Sequence, residues 1–410
     1  MSIRRALFAW CLPALVTIAV SGARAQADRA LVARHDSTIL EAMREGGMPG
    51  VQTVVVKNGK IVWQKSYGYA VLAHPGPVRP MRDNTISFTA SIGKILTAIA
   101  VMQQVEQGHI ALDDDINRSV PFVVRNPKWP DEPITWRMLL THTSSLVDDD
   151  GVYDSSYTYG RDASSTLEQF IEGRGSSTGA YHTPNKYLPA KPGTDRIYCN
   201  FCFDLMGYAL ARVAHESYNT YVTRNVIVPL GMKETSVLLR AHPESVFAVG
   251  YGRTRDARGQ WGYSPNRESF GHLPPASTVV GNLYASPDAP SGVFYSSARD
   301  FARPMMMFLN RGTLDGAKIL EPATVDSMLT FSGHYSIYGY QQGLSLFAGR
   351  NLDDQPVWGH DGEDRGFVTA VFFDRATGVG AVSFANANRD DYLLSRRLVD
   401  LDLHMMDWFK

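Results

Sequence analysis

The sequence predicts a discontinuous α/β domain that carries a helical insertion. Three observations lead to this fold class: strand-like segments occur near both ends of the chain, a helix is indicated at each end, and the middle is helical and rich in Gly, Pro and Ser turns. We place the α/β part at about residues 26–90 and 290–410 and the helical part at about 91–289. The composition of the 410 residues, with 44% hydrophobic and 20% charged residues, is typical of a globular protein and excludes disordered, collagen-like and coiled-coil classes.

The first 25 residues predict a secretory signal peptide. Two arginines precede a mostly apolar run over 6–20, and Ala-Arg-Ala at 23–25 matches the A-x-A cleavage pattern. An uncleaved anchor is disfavoured because about 20 apolar residues are needed to span a bilayer, and no later segment approaches that length. We therefore expect cleavage after Ala25, a mature domain over 26–410, a periplasmic or secreted location and no integral membrane segment after cleavage.

The charge and cysteine counts exclude two further classes of protein. The formal net charge is -1 and no basic run is present, so no nucleic-acid partner is expected. Three cysteines are too few for a small scaffold built on disulfides.

Elements of the α/β part follow from periodicity and turn residues. Apolar spacing over 28–45 indicates an N-terminal helix. Asn58-Gly59 between two β-branched runs indicates a β-hairpin over 51–65. The C-terminal part is predicted to contain three strands, over 357–360, 366–373 and 380–386, and a final helix over 391–409. An Asp-Arg-Ala-Thr-Gly turn is predicted to join the last two strands.

Ser91 and Lys94 form the pattern S-x-x-K at the start of a predicted buried helix. The following run is apolar almost all round, and Gly108 stands where a C-terminal cap belongs. Residues i and i+3 lie on one helix face, so the Lys94 amine can reach the Ser91 hydroxyl. A serine needs a base to take its proton, and burial lowers the pKa of a lysine so that the lysine can be that base. This placement makes Ser91 a candidate nucleophile and Lys94 a candidate base.

Two further motifs follow in a fixed order. Tyr-Cys-Asn at 198–200 precedes an apolar helical run, and His-Asp-Gly at 360–362 stands among the C-terminal strands. With S-x-x-K, Y-x-N and H-x-G in this order, the sequence resembles the serine hydrolases related to class C β-lactamases and penicillin-binding proteins. The resemblance covers nearly the whole mature chain, including 139–146, where Ser145 stands in place of the usual glycine. It implies a β-lactamase/transpeptidase-like fold, with an antiparallel sheet flanked by helices and a largely helical inserted region.

The resemblance implies a role for each motif residue. Ser91 is the acylated nucleophile, and Lys94 and Tyr198 share its proton and pass it to the leaving group. Tyr198 serves as a base only if a neighbouring cation lowers its phenol pKa. Asn200 orients Lys94 or the acyl side of the substrate. His360 occupies the cation position of the third motif, where a histidine is expected to be only partly charged at neutral pH.

The main-chain amides of Ser91 and of Glu363, the residue after Gly362, are expected to hold the oxyanion. Relatives that take a substrate with a carboxylate beside the scissile bond use lysine and then a hydroxyl residue where this chain has His360 and Asp361. If the Asp361 carboxylate faces the site, it repels an incoming carboxylate. If Asp361 instead lies on the opposite face of the strand, its carboxylate points away from the substrate. We therefore expect weak β-lactamase and C-terminal carboxypeptidase activity, with a preference for internal bonds, esters or amine-bearing substrates.

Three other patterns receive non-catalytic interpretations. The sequence around Ser177 matches the G-x-S-x-G elbow, but it lacks the strand before and the helix after. The C-x-x-C of Cys199 and Cys202 lacks further zinc ligands, and whether the pair forms a disulfide stays open. The acidic runs at 113–115 and 148–150 are interpreted as solvated loops and helix starts, so no metal and no other cofactor is expected.

Two functional classes remain. The first is a serine hydrolase that works through a Ser91 acyl-enzyme, and the second is a non-catalytic binding or sensor protein of the same fold. The complete set of Ser, Lys, Tyr and His favours the enzyme. Within this class, the H-x-G relatives imply a peptidase or amidase acting on small peptides, with a carboxylesterase as the alternative. The expected partner is a small-molecule or short-peptide substrate.

Overall fold

The computed structural model describes residues 31–73, 76–175, 186–336, 339–350, 356–388 and 393–410. The chain divides into two compact units, residues 1–45 and 46–410. In the first unit, residues 31–45 belong to helix α1 (31–46), which confirms the predicted N-terminal helix from residue 31 onward. The predicted signal peptide lies outside the described residues.

An antiparallel sheet of eight strands is the main sheet of the second unit. Its strands are β1 (Gly50–Lys57), β2 (Lys60–Val71), β3 (Arg79–Pro80), β4 (Gln341–Gln342), β5 (Phe347–Arg350), β6 (Pro356–Asp364), β7 (Phe367–Asp374) and β8 (Val379–Ala385). They lie in the order β4-β5-β6-β7-β8-β1-β2-β3, so β8 from the C-terminal part pairs with β1 from the N-terminal part. The predicted strands at both ends of the chain therefore form one sheet, and the predicted antiparallel α/β fold is confirmed.

The two tight turns predicted in this sheet are also confirmed. Asn58 and Gly59 connect β1 to β2 with φ angles of 50° and 70°. Positive φ at both central residues is the hairpin geometry that Asn-Gly favours. At the end of β7, the Asp374 carboxylate accepts a hydrogen bond from Ala376 N at 2.8 Å and so stabilises the turn into β8.

The helices of the second unit lie mostly between β3 and β4. They are α2 (Lys94–Glu106), α3 (Trp136–Leu140), α4 (Asp150–Ser156), α5 (Leu167–Gly175), α6 (Asn200–Ala214), α7 (Tyr218–Val222), α8 (Asn266–Ser269), α9 (Ala298–Leu309), α10 (Pro322–Met328) and α11 (Leu393–Asp407). Helix α2 confirms the buried helix predicted after Ser91, and α11 ends two residues before the predicted C-terminal boundary. The limits of the helical part as a domain stay a prediction.

Short strand pairs connect the helices to one another. They join Ser87–Phe88 to Tyr295–Ser296, Leu146–Val147 to Lys186–Tyr187, Thr158–Tyr159 to Tyr284–Ala285, Thr313–Leu314 to Ala317–Lys318, and Tyr251–Arg255 to both Trp261–Pro265 and Ala387–Asn388. Within the described residues, no helix combines the length and the apolar character that crossing a membrane requires.

Helices cover both faces of the main sheet. Phe384 of β8 faces α9, where its ring centroid lies 6.1 Å from that of Phe301. The next residue back, Ser383, faces the other side and donates a hydrogen bond to Asp402 of α11. Because both faces are buried, β7 and β8 read as nearly continuous apolar runs rather than as alternating ones.

Helix α6 packs closely against the turn Ala289–Ser291. A Cβ at Gly207 of α6 would lie 2.2 Å from Cγ of Pro290, which is closer than non-bonded carbon atoms approach. Glycine at this position therefore allows the helix and the turn to approach each other, and both elements carry residues that contact Lys94.

We expect Gly207→Ala to lower the free energy of unfolding, because the added methyl group must push α6 away from Pro290. Overpacking costs about 1–3 kcal/mol, against a gain of about 1 kcal/mol in helix propensity. The matched control is Gly151→Ala in α4, where the nearest atom to an added Cβ lies 3.6 Å away, so that only the propensity gain remains. Urea unfolding measures both variants. Equal free energies of unfolding for Gly207→Ala and Gly151→Ala would show that the contact between α6 and Pro290 tolerates a side chain.

Candidate active site

Ser91 lies on the 3-10 turn Ala90–Gly93, which leads directly into α2. Ala90 has a φ of 50°, in the left-handed region that costs an L residue about 1–2 kcal/mol. Gly292 lies against this turn, since a Cβ on Gly292 would be 2.3 Å from the Ala90 oxygen. The tightly packed turn places Ser91 at the N-terminal end of a buried helix, in the wall of a cavity of about 610 Å³.

The Lys94 side chain is fully buried behind Ser91, with 0% of it exposed. Its Nζ lies 3.3 Å from Ser91 Oγ and 2.6 Å from Asn200 Oδ1, and it also donates to the main-chain oxygen of Ser291. Burial lowers the pKa of Lys94 to about 8. The carboxylates whose charges oppose this shift are those of Asp204, Asp148, Asp288 and Asp364. The predicted approach of the Lys94 amine to the Ser91 hydroxyl is confirmed.

These three contacts satisfy the ammonium form of Lys94, which has three N–H donors for the oxygens of Ser91, Asn200 and Ser291. A neutral lysine has two N–H donors and one lone pair. When Lys94 loses a proton, the oxygens of Asn200 and Ser291 can keep the two remaining N–H bonds, and the lone pair becomes available to the Ser91 hydroxyl proton. With a pKa of about 8, about one tenth of the Lys94 amines are neutral at pH 7, and the fraction grows as the pH rises.

The Tyr198 ring lies next to the same amine, with Lys94 Nζ 4.9 Å from the ring centroid. Burial raises the pKa of Tyr198 far above its usual value, and the neighbouring Ser91 hydroxyl opposes this shift only in part. The condition under which Tyr198 would be a base is therefore not met, because the cost of burying a phenolate outweighs the nearby cation. The phenol stays protonated at neutral pH, and its hydroxyl makes no hydrogen bond of ordinary geometry to a described residue. Tyr198 is therefore a candidate proton donor and not a candidate base.

His142 supports the Tyr198 ring and was not identified as a site residue from the sequence. The two rings stack with their centroids 4.5 Å apart, and His142 Nδ1 accepts a hydrogen bond from Cys199 N at 3.2 Å. Burial lowers the pKa of His142 well below its usual value, so the ring is neutral. The indication in the sequence was that His142 lies within residues 139–146, a segment that resembles the family. In that segment Ser145 has a φ of 66°, which explains why glycine is usual at this position.

Two local features fix Asn200 at the start of α6. The Asp148 carboxylate accepts hydrogen bonds from the amides of Asn200 and Phe201, each at 2.9 Å, and so caps the helix. Cys199 and Cys202 form a disulfide with their Cα atoms 5.3 Å apart. The question that the sequence left open is thereby answered, and the disulfide encloses Asn200.

The third motif lies on β6, directly beside Ser91. Gly362 comes so close to the 3-10 turn that a Cβ there would lie 2.9 Å from Ser91 N. His360 Nδ1 donates to the main-chain oxygen of Asp361, and His360 Nε2 has no hydrogen-bond partner among the described residues. Burial, followed by the charge of Lys94, lowers the pKa of His360 to about 3. His360 is therefore uncharged at neutral pH, and the expectation of partial charge was wrong because a buried imidazolium loses its hydration.

Asp361 lies on the opposite face of β6 from His360, because successive side chains of a strand alternate. Glu363 shares the face of Asp361 and contacts α11, where Glu363 Oε2 accepts a hydrogen bond from Ser395 Oγ at 2.8 Å. The orientation that turns the Asp361 carboxylate away from the substrate is thus the one observed. Its charge still contributes to the raised pKa of Tyr198, so Asp361 acts on the site at longer range. Burial raises the pKa of Asp361 itself to about 6.

The two residues whose amides are predicted to hold the oxyanion, Ser91 and Glu363, line the same cavity. The predicted site residues that the structure brings together around this cavity and the Lys94 amine are Ser91, Lys94, Tyr198, Asn200, His360, Gly362 and Glu363. Their roles stay predictions.

The other sequence patterns have structural explanations or lie elsewhere. Ser177 is outside the described residues. In the run 113–115, Asp113 pairs with Arg137 at 2.7 Å, and Asp115 caps a short 3-10 turn. Among the described residues, no three His, Cys, Asp or Glu side chains form a group that could hold a metal ion. The expected absence of a cofactor stays a prediction.

A serine at the start of a buried helix, a lysine amine 3.3 Å from its hydroxyl and an antiparallel sheet beside them form the arrangement expected of a serine hydrolase in which lysine, and not a histidine–aspartate pair, is the base. A family model described as Beta-lactamase matches residues 35–404. The chain belongs to this beta-lactamase family of serine hydrolases, as the order of its three motifs predicted.

Three relatives and solved structures that resemble this chain are 21–26% identical to it. Protein flp of Staphylococcus aureus (strain MRSA252) is 26% identical over 355 residues, which are 87% of this chain and 63% of the relative. The chain therefore spans about 63% of the length of the curated relatives that it matches first. A penicillin-binding protein homologue from Pyrococcus abyssi has a similar structure, with a TM-score of 0.67 and 23% identity over 92% of this chain and 79% of that one. D-amino acid amidase from Ochrobactrum anthropi SV3 reaches a TM-score of 0.68 with 21% identity, over 91% of this chain and 99% of that one.

We expect kcat/KM to rise with pH through about 8, because the base form of Lys94 is the deprotonated amine. Hydrolysis of a chromogenic ester across this range gives the profile. Lys94→Ala should lower kcat/KM by about 10²–10⁴-fold and abolish the rise. Tyr198→Phe is a control variant in the same site. Its kcat/KM should be lower than that of the wild type but should still rise with pH through about 8. A profile that is flat in the wild type would contradict the assignment of Lys94 as the base.

Proposed function

We propose that the protein is an exported serine hydrolase that cleaves amide bonds of small peptides through a Ser91 acyl-enzyme. The observation that carries this proposal is the set of three contacts at the buried Lys94 amine, which places Nζ 3.3 Å from Ser91 Oγ. Export rests on the N-terminal pattern that ends at Ala25 and stays a proposal, as does a periplasmic or secreted location.

Acylation begins when the Ser91 hydroxyl proton moves to Lys94 Nζ and Oγ bonds to the substrate carbonyl carbon. The negative charge that forms on the carbonyl oxygen is stabilised by the main-chain amides of Ser91 and Glu363. The carbon–nitrogen bond then breaks while the leaving amine takes a proton from the Tyr198 hydroxyl. Lys94 returns its proton to Tyr198. Water then attacks the acyl carbonyl carbon while Lys94 Nζ accepts one of its protons. The bond between that carbon and Ser91 Oγ breaks, and Oγ takes the proton back from Lys94, which restores the free enzyme.

Amide hydrolysis is the form of this reaction that makes most use of Tyr198. An amine leaves readily only when its nitrogen is protonated, whereas an ester alcohol needs less assistance. Burial keeps the Tyr198 phenol protonated, so that a proton is available next to the leaving group. The structural likeness to D-amino acid amidase supports a fold that accommodates this chemistry. A carboxylesterase is the alternative, and comparing short peptides, short-chain esters and a chromogenic cephalosporin separates the two from a β-lactamase.

We expect Ser91→Ala to abolish both turnover and covalent labelling, since it removes the nucleophilic oxygen and leaves the packing of the turn unchanged. Incubation with a fluorophosphonate followed by intact mass spectrometry should show one adduct on the wild type, and peptide mapping should place it on Ser91. The control variant is Ser177→Ala, which should be labelled as the wild type is. An adduct on Ser177 would support a different nucleophile. No adduct at all would support the non-catalytic binding protein.

We expect a modest preference for a peptide amide over the free acid at the leaving-group side, caused by the charge of Asp361. Two like charges about 4 Å apart in water repel by about 1 kcal/mol, which is about fivefold in kcat/KM, and we expect a smaller ratio here because Asp361 lies on the far face of β6. The carboxyl is charged above its pKa of about 6, so the preference should grow as the pH rises through that value. Asp361→Asn should remove the pH-dependent part. Identical ratios in the wild type and in Asp361→Asn would show that Asp361 exerts no selection.

A further inference from the structure

The cavity beside Ser91 takes the acyl part of a substrate, if the proposed function holds. Ser91, Asn200 and Glu363 line it, whereas Tyr198 and His360 are not among its described lining residues. Since Tyr198 protonates the leaving group in the proposed reaction, the leaving group lies on its side and the acyl group lies in the cavity. The volume of about 610 Å³ is ample for the side chain or terminus of a short peptide.

The walls of this cavity are acidic. Three of its lining residues carry carboxylates that are not turned toward α11, Asp154, Asp288 and Asp364, and one carries a guanidinium, Arg365. Its one histidine, His272, is exposed at the surface. A site with an excess of carboxylates attracts cations and repels anions.

The single guanidinium is fully engaged in the cavity wall. Arg365 pairs with Asp154 at 2.5 Å, donates to Tyr159 Oη at 3.1 Å and to Phe270 O at 3.3 Å, and lies 3.7 Å from the centroid of the Tyr157 ring. Its charge therefore balances Asp154 and also favours the charged form of Asp364, whereas it is not paired with Asp288.

Asp288 is the carboxylate whose hydrogen bonding is incomplete. Its side chain is 4% exposed, and its Oδ1 has no hydrogen-bond partner among the described residues. Its Oδ2 is 3.5 Å from Ser291 Oγ, at the limit of a hydrogen bond. Burial raises the pKa of Asp288, and the Ser286 hydroxyl and the charge of Lys94 oppose this shift only in part. A buried carboxylate oxygen without a donor is unfavourable, so a ligand that brings a charged donor gains from pairing with it.

The neighbouring cation does not supply that donor. Lys94 directs its N–H groups to Asn200 and Ser291, and it must be neutral when it takes the Ser91 proton. The other carboxyl groups near Asp288 are those of Asp204 and Asp364, and burial raises the pKa of both, to about 6 for Asp364. A positive group in the cavity would favour the charged forms of Asp288 and Asp364, which line it.

We propose that the cavity binds a protonated amine carried by the acyl part of the substrate, and that Asp288 is the carboxylate that selects it. The substrate class is then amides of amine-bearing acids, such as peptides with a free amino terminus or a cationic side chain on the acyl side. This proposal deepens the proposed hydrolase function and rests on it for the assignment of the acyl side.

The test uses fluorogenic 7-amino-4-methylcoumarin amides in matched pairs. Glycine, β-alanine and 4-aminobutanoic acid are compared with propanoic, butanoic and pentanoic acid, in which a methyl group replaces the ammonium group. We expect the wild type to favour at least one amine over its methyl partner by about tenfold to a hundredfold in kcat/KM, as a charge-assisted contact gives. Asp288→Asn should lower this ratio of kcat/KM values at least about tenfold. Asp288→Glu, which keeps the carboxylate, should retain part of the preference. Asp154→Asn removes an exposed carboxylate of the same cavity and should retain the preference.

A second measurement separates this proposal from the proposed function. The same amides are titrated onto Ser91→Ala and onto Ser91→Ala/Asp288→Asn by calorimetry, with folding checked by circular dichroism and Asp288→Ser as the substitute if the asparagine variant does not fold. Tighter binding of the amine that depends on Asp288 supports the proposal even if no amide is hydrolysed. Equal binding of amine and methyl partners to Ser91→Ala, or an amine preference that persists without the Asp288 carboxylate, overturns it. Absence of a Ser91 adduct in the wild type would overturn the hydrolase function alone.

Discussion

The rest of the site depends on one constraint, which is that the Lys94 amine must be buried and still have its N–H groups satisfied. A buried donor without an acceptor is costly, so two oxygens have to be brought to it from distant parts of the chain. Asn200 comes from α6 and Ser291 from the turn that Gly207 allows to approach. Asp204 of α6 then accepts a hydrogen bond from Ser291 N at 3.1 Å, which ties the two elements together.

The basicity of Lys94 results from two opposing effects. Burial alone disfavours the ammonium form, while the surrounding carboxylates favour it. The balance leaves the pKa at about 8, close to the pH at which a general base is most useful. Burial acts on His360 and Tyr198 in the same way, and the groups that oppose it there are too weak to compensate, so both side chains are held neutral.

Much of the fold and the membership of the site were predictable because they depend on local signals. Asn58-Gly59 predicted a hairpin through its backbone preference, and the S-x-x-K spacing predicted that Lys94 would reach Ser91 through helix geometry. The charge of His360 and the role of Tyr198 were not predictable, since they depend on tertiary burial. His142 was missed for a related reason: it acts through a ring stack with Tyr198 that joins two separate segments.

The disulfide between Cys199 and Cys202 closes a small covalent ring, and Asn200 and Phe201 are its two enclosed residues. The amides of both enclosed residues are held by Asp148, so the backbone of this segment has little rotational freedom left. Groups that are already ordered before a substrate arrives lose less entropy in the transition state. The entropy of positioning Asn200 against Lys94 is thus lost once, when the chain folds and oxidises, and does not recur in each catalytic cycle.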